Sequence, residues 1–208
     1  MFKKVLTLIF ASFILLSCTA ERDIFNEETA KSFKNQNIES PFFGNPNSKV
    51  QLMIFSDFQC PACINFEKTI GNKLLTEYAL TNKIGLTYKN FPLNIHVNAP
   101  EDALASMCAH EQNKYNDFAV KMYALEEQKN GLRLSTEDRQ GVAKAAGLDV
   151  AKFNQCVLEG RYVDKVKQDM AEGEKMGLQG TPSVYANGKL IGFNSSESFY
   201  TILDGLLK

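Results

Sequence analysis

The sequence has few histidines and no excess of charge of either sign. Its 208 residues include two histidines, and 23 basic residues stand against 24 acidic ones for a formal net charge of −1. Two isolated histidines, His96 and His110, do not make a metal site, and the second CxxC of a four-cysteine zinc site is missing. No basic stripe with interleaved aromatic residues indicates nucleic-acid binding. These absences argue against a zinc protein and against a nucleic-acid-binding protein.

The apolar run near the start of the chain is too short for a comfortable transmembrane span. It extends over residues 5–16 and follows Lys3 and Lys4. A basic start, an apolar stretch of about a dozen residues and small residues after it are typical of an export signal. We therefore expect a protein that leaves the cytoplasm.

The end of this leader offers two cleavage sites. Leu-Leu-Ser-Cys, which ends at Cys18, is similar to the lipobox of bacterial lipoproteins, in which the cysteine is lipidated and becomes the mature N-terminus. Leu16 is bulkier than the residue usual at its position. We predict a lipoprotein-type signal peptide at residues 1–18 with lipidation of Cys18. Ordinary cleavage after Ala20, which leaves the protein unanchored, is the alternative.

The five cysteines separate into a close pair and a distant pair. They are Cys18, Cys60, Cys63, Cys108 and Cys156. Lipidation or cleavage removes Cys18 from the free thiols, and the even number that remains suits an oxidising compartment. No proline or tight spacing marks Cys108 and Cys156 as reactive. We expect a structural disulfide between them, with a second redox pair or two free thiols as the alternatives.

The close pair stands between a predicted strand and a predicted helix. The apolar run 50–55 precedes Cys60-Pro61-Ala62-Cys63, and a helical pattern follows. At a helix start the free N–H groups and the helix dipole stabilise a thiolate and lower its pKa. Proline at the first helical position loses no intrahelical hydrogen bond. We predict a redox-active dithiol in which Cys60 attacks and Cys63, one turn further, closes the bridge.

The first half of the chain reads as a tether followed by a βαβ unit. Residues 19–41 are polar with scattered apolar residues, as in a tether between a membrane and a domain. An apolar β-compatible run over 50–56, helical spacing over 61–80 and alternation over 84–91 follow. Parallel strands joined in this way imply a right-handed crossover.

The second half is rich in helical patterns. Helices are predicted over residues 100–110, 115–127, 137–146, 150–159 and 162–175. Asn187-Gly188 between two short apolar runs predicts a β-hairpin. An amphipathic helix over 196–207 closes the chain.

Four short motifs, in this order of elements, carry a family resemblance. Residues 55–63 read FSDFQCPAC, residues 91–93 read FPL with His96 after them, residues 105–109 read ASMCA, and residues 180–182 read GTP. Together they resemble the DsbA-like branch of the thioredoxin superfamily over about residues 42–207. The resemblance implies an α/β thioredoxin fold, built of a βαβ half and a ββα half, with an inserted helical domain. The implied bounds are 42–98 for the N-terminal half, 99–177 for the helical insert and 178–208 for the C-terminal half.

The resemblance also implies a role for each residue of the site. Cys60 is the nucleophile and Cys63 the resolving thiol, while Pro182 is a cis-proline that faces them. An X-Pro bond is cis in only about one case in twenty, so an ordinary trans turn is the alternative. Thr181, Pro61, Ala62 and Phe58 are expected to contact an extended client chain. No cofactor beyond the Cys60–Cys63 disulfide and no metal is expected.

Two departures from the family pattern bear on the chemistry. Many relatives carry a buried acidic residue six positions before the first cysteine, as a proton relay for the buried thiol, and here that position is Ile54. Asp57 is nearer in sequence, but the sequence does not say whether it faces Cys63. The dipeptide Pro61-Ala62 has no histidine to stabilise the thiolate. We therefore predict a milder oxidant than relatives with histidine there, and a strongly depressed Cys60 pKa would contradict this.

Three functions remain open from the sequence. The first is a thiol oxidase of the periplasm or cell envelope, anchored by lipid, that donates its disulfide to exported proteins with cysteines. A membrane redox partner, a quinone-linked oxidase or a reductase, restores the redox state of the site. The second is a reductase or isomerase that uses the same residues, although the chain has no room before residue 41 for a dimerisation domain, which favours a monomeric oxidase. The third is a non-enzymatic envelope lipoprotein that binds peptides.

Overall fold

The structure is a computed structural model that describes residues 39–208. The predicted signal peptide, Cys18 and nearly all of the tether lie outside the described residues. Within residues 39–208 no helix combines the length and the apolar character needed to cross a membrane.

A five-stranded mixed sheet forms the centre of the described part of the chain. Its strands are β1 (Phe42–Gly44), β2 (Gln51–Ser56), β3 (Gly85–Asn90), β4 (Ser183–Ala186) and β5 (Lys189–Leu190), in the order β1-β3-β2-β4-β5. Strands β2 and β3 run parallel, as the predicted βαβ unit requires, and the remaining pairs are antiparallel. The central strand β2 buries Leu52, Ile54 and Phe55, because both faces of the sheet are covered. The CxxC segment therefore follows directly from the buried central strand of the sheet.

The helix after β2 is less regular than its pattern predicted. Helix α1 (Pro61–Phe66) passes into two π-helical segments, Glu67–Gly71 and Leu74–Ala79, rather than one α-helix over 61–80. The N–H of Asn72 bonds the carbonyl of Glu67, five residues back. A Cβ on Gly71 would lie 2.0 Å from Oε2 of Glu67, so the absent side chain leaves the space that this carboxylate occupies. Hydrophobic spacing reports the buried face of a helix but not which backbone hydrogen bond closes each turn.

The predicted helical insert is present between β3 and β4, and each of its helices begins and ends within two residues of the predicted bounds. Its helices are α2 (Ala99–Glu111), α3 (Tyr115–Lys129), α4 (Thr136–Ala145), α5 (Val150–Leu158) and α6 (Val163–Lys175). Helix α4 begins with a capping box in which Ser135 and Asp138 each bond the other's backbone N–H. Cys108 of α2 and Cys156 of α5 form a disulfide. The distant cysteine pair is thus bridged, as we expected.

The predicted hairpin and last helix are confirmed. Asn187 and Gly188 have φ values of 49° and 78°, the left-handed pair that a tight turn between β4 and β5 requires. Helix α7 (Ser196–Leu207) follows and buries Phe199 and Leu203 against the core.

Strand β1 was not predicted, because three residues are too few to show a period. Phe42–Gly44 pairs antiparallel with β3, and the carbonyl of Pro41 accepts from the N–H of Tyr88. Gly44 ends the strand at φ 89°, where a Cβ would lie 2.2 Å from the carbonyl oxygen of Ile84. Glycine is required there by both the backbone conformation and the close approach.

The disulfide of the insert provides the first testable prediction. In a Cys60→Ser/Cys63→Ser background, reductant acts on Cys108–Cys156 alone. The bridge closes a loop with a sequence separation of 48, and we expect its reduction to lower the free energy of unfolding by about 4 kcal/mol in the chain-entropy model. Urea unfolding with and without reductant measures the difference. Unchanged stability, together with thiol exchange by Cys108 in the native protein, would identify a second redox pair instead.

Candidate active site

The two cysteines of the CxxC segment occupy unequal positions at the start of α1. Cys60 is the N-cap residue, with extended backbone at φ −72° and ψ 120°, and Pro61 follows at the first helical position. The carbonyl of Cys60 accepts from the N–H of Ile64 at 3.0 Å, which closes the first turn. Cys60 is 6% exposed and Cys63 is fully buried, and both thiols are free. Only Cys60 therefore offers its sulfur to a second molecule.

The pKa values of the two thiols move in opposite directions. A hydrogen bond from the Cys63 thiol is the largest cause that lowers the pKa of Cys60 to about 5, and backbone N–H groups of α1 lower it further against the opposing effect of burial. Burial is the main cause that raises the pKa of Cys63, and the neighbouring Cys60 raises it further. The reduced site thus holds a thiolate on Cys60 and a proton on Cys63.

The lowered pKa of Cys60 bears on the expected strength of the site as an oxidant. A Cys60 pKa of about 5 lies between the values of about 7 for a thioredoxin and about 3.5 for a strongly oxidising site. The missing histidine does not leave the thiolate poorly stabilised, because the Cys63 thiol and the helix start provide donors in its place. Because this value stays above that of the strongly oxidising site, a milder oxidant than relatives with histidine stays a prediction, which a titration of Cys60 tests.

The loop before β4 brings the carbonyl of Thr181, the residue before Pro182, against the sulfur of Cys60. The Thr181–Pro182 peptide bond is cis, as we expected. The thiol of Cys60 donates to the carbonyl oxygen of Thr181 at 3.4 Å. Residues 121 positions apart in the chain are thus in contact at the site.

The residues expected to contact a client are divided among three places. Ala62 and Pro182 line a groove of about 470 Å³ together with side chains of α1 and of the loop after β5. Pro61 lines a second groove on the other side of the CxxC segment, beside Gln59 and His96. Phe58 is 2% exposed and packs on Tyr123 with ring centroids 4.6 Å apart. The expectation that Phe58 forms part of a client surface is therefore wrong, because its ring fills the space between the CxxC turn and α3.

A buried carboxylate, Asp57, fixes the turn that leads into Cys60. Its Oδ1 accepts from the N–H of Gln59 at 2.8 Å. Its Oδ2 accepts from the N–H of Leu93 at 2.9 Å and lies 2.7 Å from Nδ1 of His96. These contacts answer the question left by the sequence, since both oxygens of Asp57 have partners other than Cys63. His96 is a hydrogen-bonded residue that lines a groove beside Pro61.

Three other polar groups near the CxxC segment were not singled out from the sequence. Ser56 ends β2, and its Oγ lies 2.7 Å from Oη of Tyr123 in α3. Glu67 lies one turn beyond Cys63, and burial raises its pKa to about 8. Its Oε1 has no hydrogen-bond partner among the described residues. A serine, a tyrosine and a glutamate are too common for spacing alone to mark them. Among residues 39–208 no group of three or more histidine, cysteine, aspartate or glutamate side chains is placed to hold a metal ion.

Comparison with known proteins agrees with this geometry. A family model described as Thioredoxin matches residues 36–205. The probable disulfide bond formation protein D of Bacillus cereus is 30% identical over 152 residues, which cover 71% of this chain and 69% of that protein. Oxidised BdbD from Bacillus subtilis superimposes with a TM-score of 0.72 at 20% identity, over 81% of this chain and 92% of that one. A variant of alpha-DsbA1 from Wolbachia pipientis gives a TM-score of 0.71 at 20% identity, over 84% and 94%. The two solved structures share the fold.

The unequal thiols give the second prediction. We expect the alkylation rate of Cys60 in the reduced protein to follow a titration with its midpoint at about pH 5. Cys63→Ala removes the largest stabilising donor and raises that midpoint. Alkylation with iodoacetamide, stopped at set times between pH 3 and pH 10 and analysed by mass spectrometry, measures both curves. A wild-type midpoint near 9.0, the ordinary value for a cysteine, would contradict the assignment, as would a midpoint unmoved by Cys63→Ala.

Proposed function

Because this chain belongs to the thioredoxin family, and within it to the DsbA-like thiol:disulfide oxidoreductases, we propose that it donates its Cys60–Cys63 disulfide to exported proteins. The observation that carries this proposal is the stabilised thiolate of Cys60 beside a fully buried thiol. Interactions that favour the reduced form of a dithiol make its disulfide a stronger oxidant. The direction of electron flow proposed here is therefore from client to site.

The transfer takes two exchanges. A client thiolate attacks Sγ of Cys60 in the disulfide form, the Cys60–Cys63 bond breaks, and Cys63 leaves as a thiolate. A second client thiolate then attacks the client sulfur of the mixed disulfide, and Cys60 leaves as a thiolate. The client loses two electrons and the site gains them. A leaving thiolate of low pKa departs faster, so the second exchange benefits directly from the depressed pKa of Cys60.

Burial decides which sulfur the client meets. Cys63 is fully buried, so attack at its sulfur is blocked, whereas Cys60 keeps some exposure and precedes Ala62, which lines a groove with Pro182. The Thr181 carbonyl oxygen lies 3.4 Å from the sulfur of Cys60. Cys60 has no proton to donate in the disulfide that the client meets or in the mixed disulfide, so this carbonyl is free for a client backbone N–H. The extended client chain then pairs as an added strand.

We place the protein in the cell envelope, anchored by a lipid on Cys18, with a membrane redox partner that reoxidises the site. Two features support this placement. The leader has the pattern of a lipoprotein signal. The Cys108–Cys156 bridge is of a kind that persists in oxidising compartments.

The reduction potential of Cys60–Cys63 tests the direction. We expect a value well above about −270 mV, the thioredoxin level, and below about −120 mV, because the thiolate pKa lies between those of the two reference sites. Equilibration of the fragment from Glu21 with glutathione, followed by alkylation and mass analysis, gives the potential. Cys108 and Cys156 are counted separately. A value near or below −270 mV would make the protein a reductase.

Unfolding of the two redox forms provides an independent measure. The pKa of Cys60 falls from 9.0 to about 5 on folding, so the thiolate stabilises the reduced fold fully above about pH 9 and the effect is lost as the pH falls to about 5. The reduced form should therefore exceed the oxidised form in stability at pH 7, by a margin that shrinks on acidification.

Cys60→Ser is the control for client oxidation. If it leaves the biological activity unchanged, the protein acts by binding peptides.

The mature N-terminus tests the placement. We expect mass spectrometry of the protein isolated from membranes to find Cys18 as the first residue, carrying acyl chains. Cys18→Ala should release the protein into the soluble fraction. A first residue of Glu21 without acyl groups would replace the anchor with ordinary cleavage.

A further inference from the structure

The buried thiol of Cys63 presents a problem that the proposed reaction has to solve. When a client attacks Cys60, negative charge develops on Cys63, which is fully buried. An unpaired charge in such a place is costly. Position 54, where many relatives hold an acid, is a fully buried isoleucine, and Asp57 is engaged elsewhere. Another group has to stabilise this sulfur.

Two buried hydroxyl groups are hydrogen-bonded to each other near Cys63. Ser56 ends the strand that leads into the CxxC turn, and Tyr123 projects from α3; both are 5% exposed. Their oxygens are 2.7 Å apart. Packing of the Tyr123 ring on Phe58, with centroids 4.6 Å apart, fixes the phenol in this position. The Ser56 side chain in turn hydrogen-bonds Cys63 and opposes the effect of burial, which is the main influence on that thiol.

The hydrogen bond between Tyr123 and Ser56 can be oriented toward Cys63. Burial raises the pKa of Tyr123 well above its ordinary value, so the phenol keeps its proton. A protonated phenol can donate to Oγ of Ser56, and in that orientation Ser56 has its own O–H to donate to the sulfur. Hydrogen bonds in series polarise and strengthen one another.

We propose that Tyr123 and Ser56 form a donor chain that stabilises the Cys63 thiolate as it leaves, in place of the carboxylate absent at position 54; the proposal rests on disulfide donation as the function. Ser56 touches the reacting sulfur, and Tyr123 acts through Ser56 as a positioning residue. The chain lends hydrogen bonds and no proton. Of the two protons that the client thiols lose, one ends on Cys63 and the other goes to solvent, while Cys60 ends as the thiolate.

The charged and titratable groups around the chain are compatible with this role. The Cys60 thiolate forms only as the reaction ends. Glu67 and Tyr115 also act on Tyr123 and help to keep the phenol protonated. Burial of Glu67 raises its pKa to about 8, so at pH 7 this carboxyl is mostly neutral and does not repel the charge on Cys63.

The first exchange tests the proposal. The oxidised protein is mixed with a reduced two-cysteine peptide in excess, quenched with acid, alkylated and weighed, which gives the rate constant for attack on Cys60. We expect Ser56→Ala to lower it about ten- to a hundredfold, the effect of losing a hydrogen bond to a charged group, and Tyr123→Phe about three- to tenfold. The equilibrium constant with glutathione should change less than about twofold, because Cys63 is protonated in the reduced protein and bridged in the oxidised one.

A matched substitution separates this role from general loss of structure. Tyr78→Phe removes another tyrosine hydroxyl, which donates to Asp204 at 3.0 Å, and should leave the rate unchanged. Unchanged rates in both Ser56→Ala and Tyr123→Phe overturn the proposal. So does an equal loss in Tyr78→Phe, or a fall in the equilibrium constant in parallel with the rate. If instead the wild-type protein fails to oxidise the peptide at all, the proposed function has failed before the donor chain is tested.

Discussion

One proton between two sulfurs of unequal burial is the interaction on which the site depends. Cys63, fully enclosed beneath the first turn of α1, keeps its proton because charge there has no access to water. Cys60, at the N-cap, holds the charge because that proton and the helix N–H groups point at it. Neither thiol would behave in this way alone. The order of events, with Cys60 attacked first and Cys63 always the internal partner, follows from this division.

This difference between the two thiols requires a fixed CxxC turn. Polar contacts of Asp57 and Gln59, the residues before Cys60, hold the turn in place. Asp57 accepts from the backbone of Gln59 and of Leu93, so it joins the CxxC turn to the loop after β3. The side chain of Gln59 accepts from the N–H of Asn98, whose own side chain donates to Glu126 of α3. The helical insert therefore does more than cover the sheet, because α3 reaches the turn through this network and through Tyr123.

Local patterns predicted the parts of this arrangement that depend on neighbouring residues. Of the distant pairings, the family resemblance and the cysteine count gave only the cis-proline loop at Cys60 and the Cys108–Cys156 bridge. The CxxC turn, the strand before it and the hairpin at Asn187-Gly188 each depend on neighbouring residues, and all were found. The contacts of Asp57 with His96 and of Ser56 with Tyr123 join residues 39 and 67 positions apart, so no window on the sequence contains them. Phe58 was misjudged for the same reason, since only α3 decides whether its ring is covered.

The replacement of an acid by hydroxyl groups also has a consequence for the direction of the reaction. A carboxylate beneath the buried thiol accepts its proton, which suits a reductase, where Cys63 has to become a nucleophile to resolve the mixed disulfide. The same carboxylate repels a thiolate that forms there as a leaving group. Hydroxyl groups reverse both effects, since they are poor bases but good donors to a developing charge. With Ile54 where many relatives have an acid and Ser56 as the hydrogen-bonding side chain, Cys63 has a hydroxyl donor and no carboxylate base at these two positions, and the proposed direction of transfer rests on this difference.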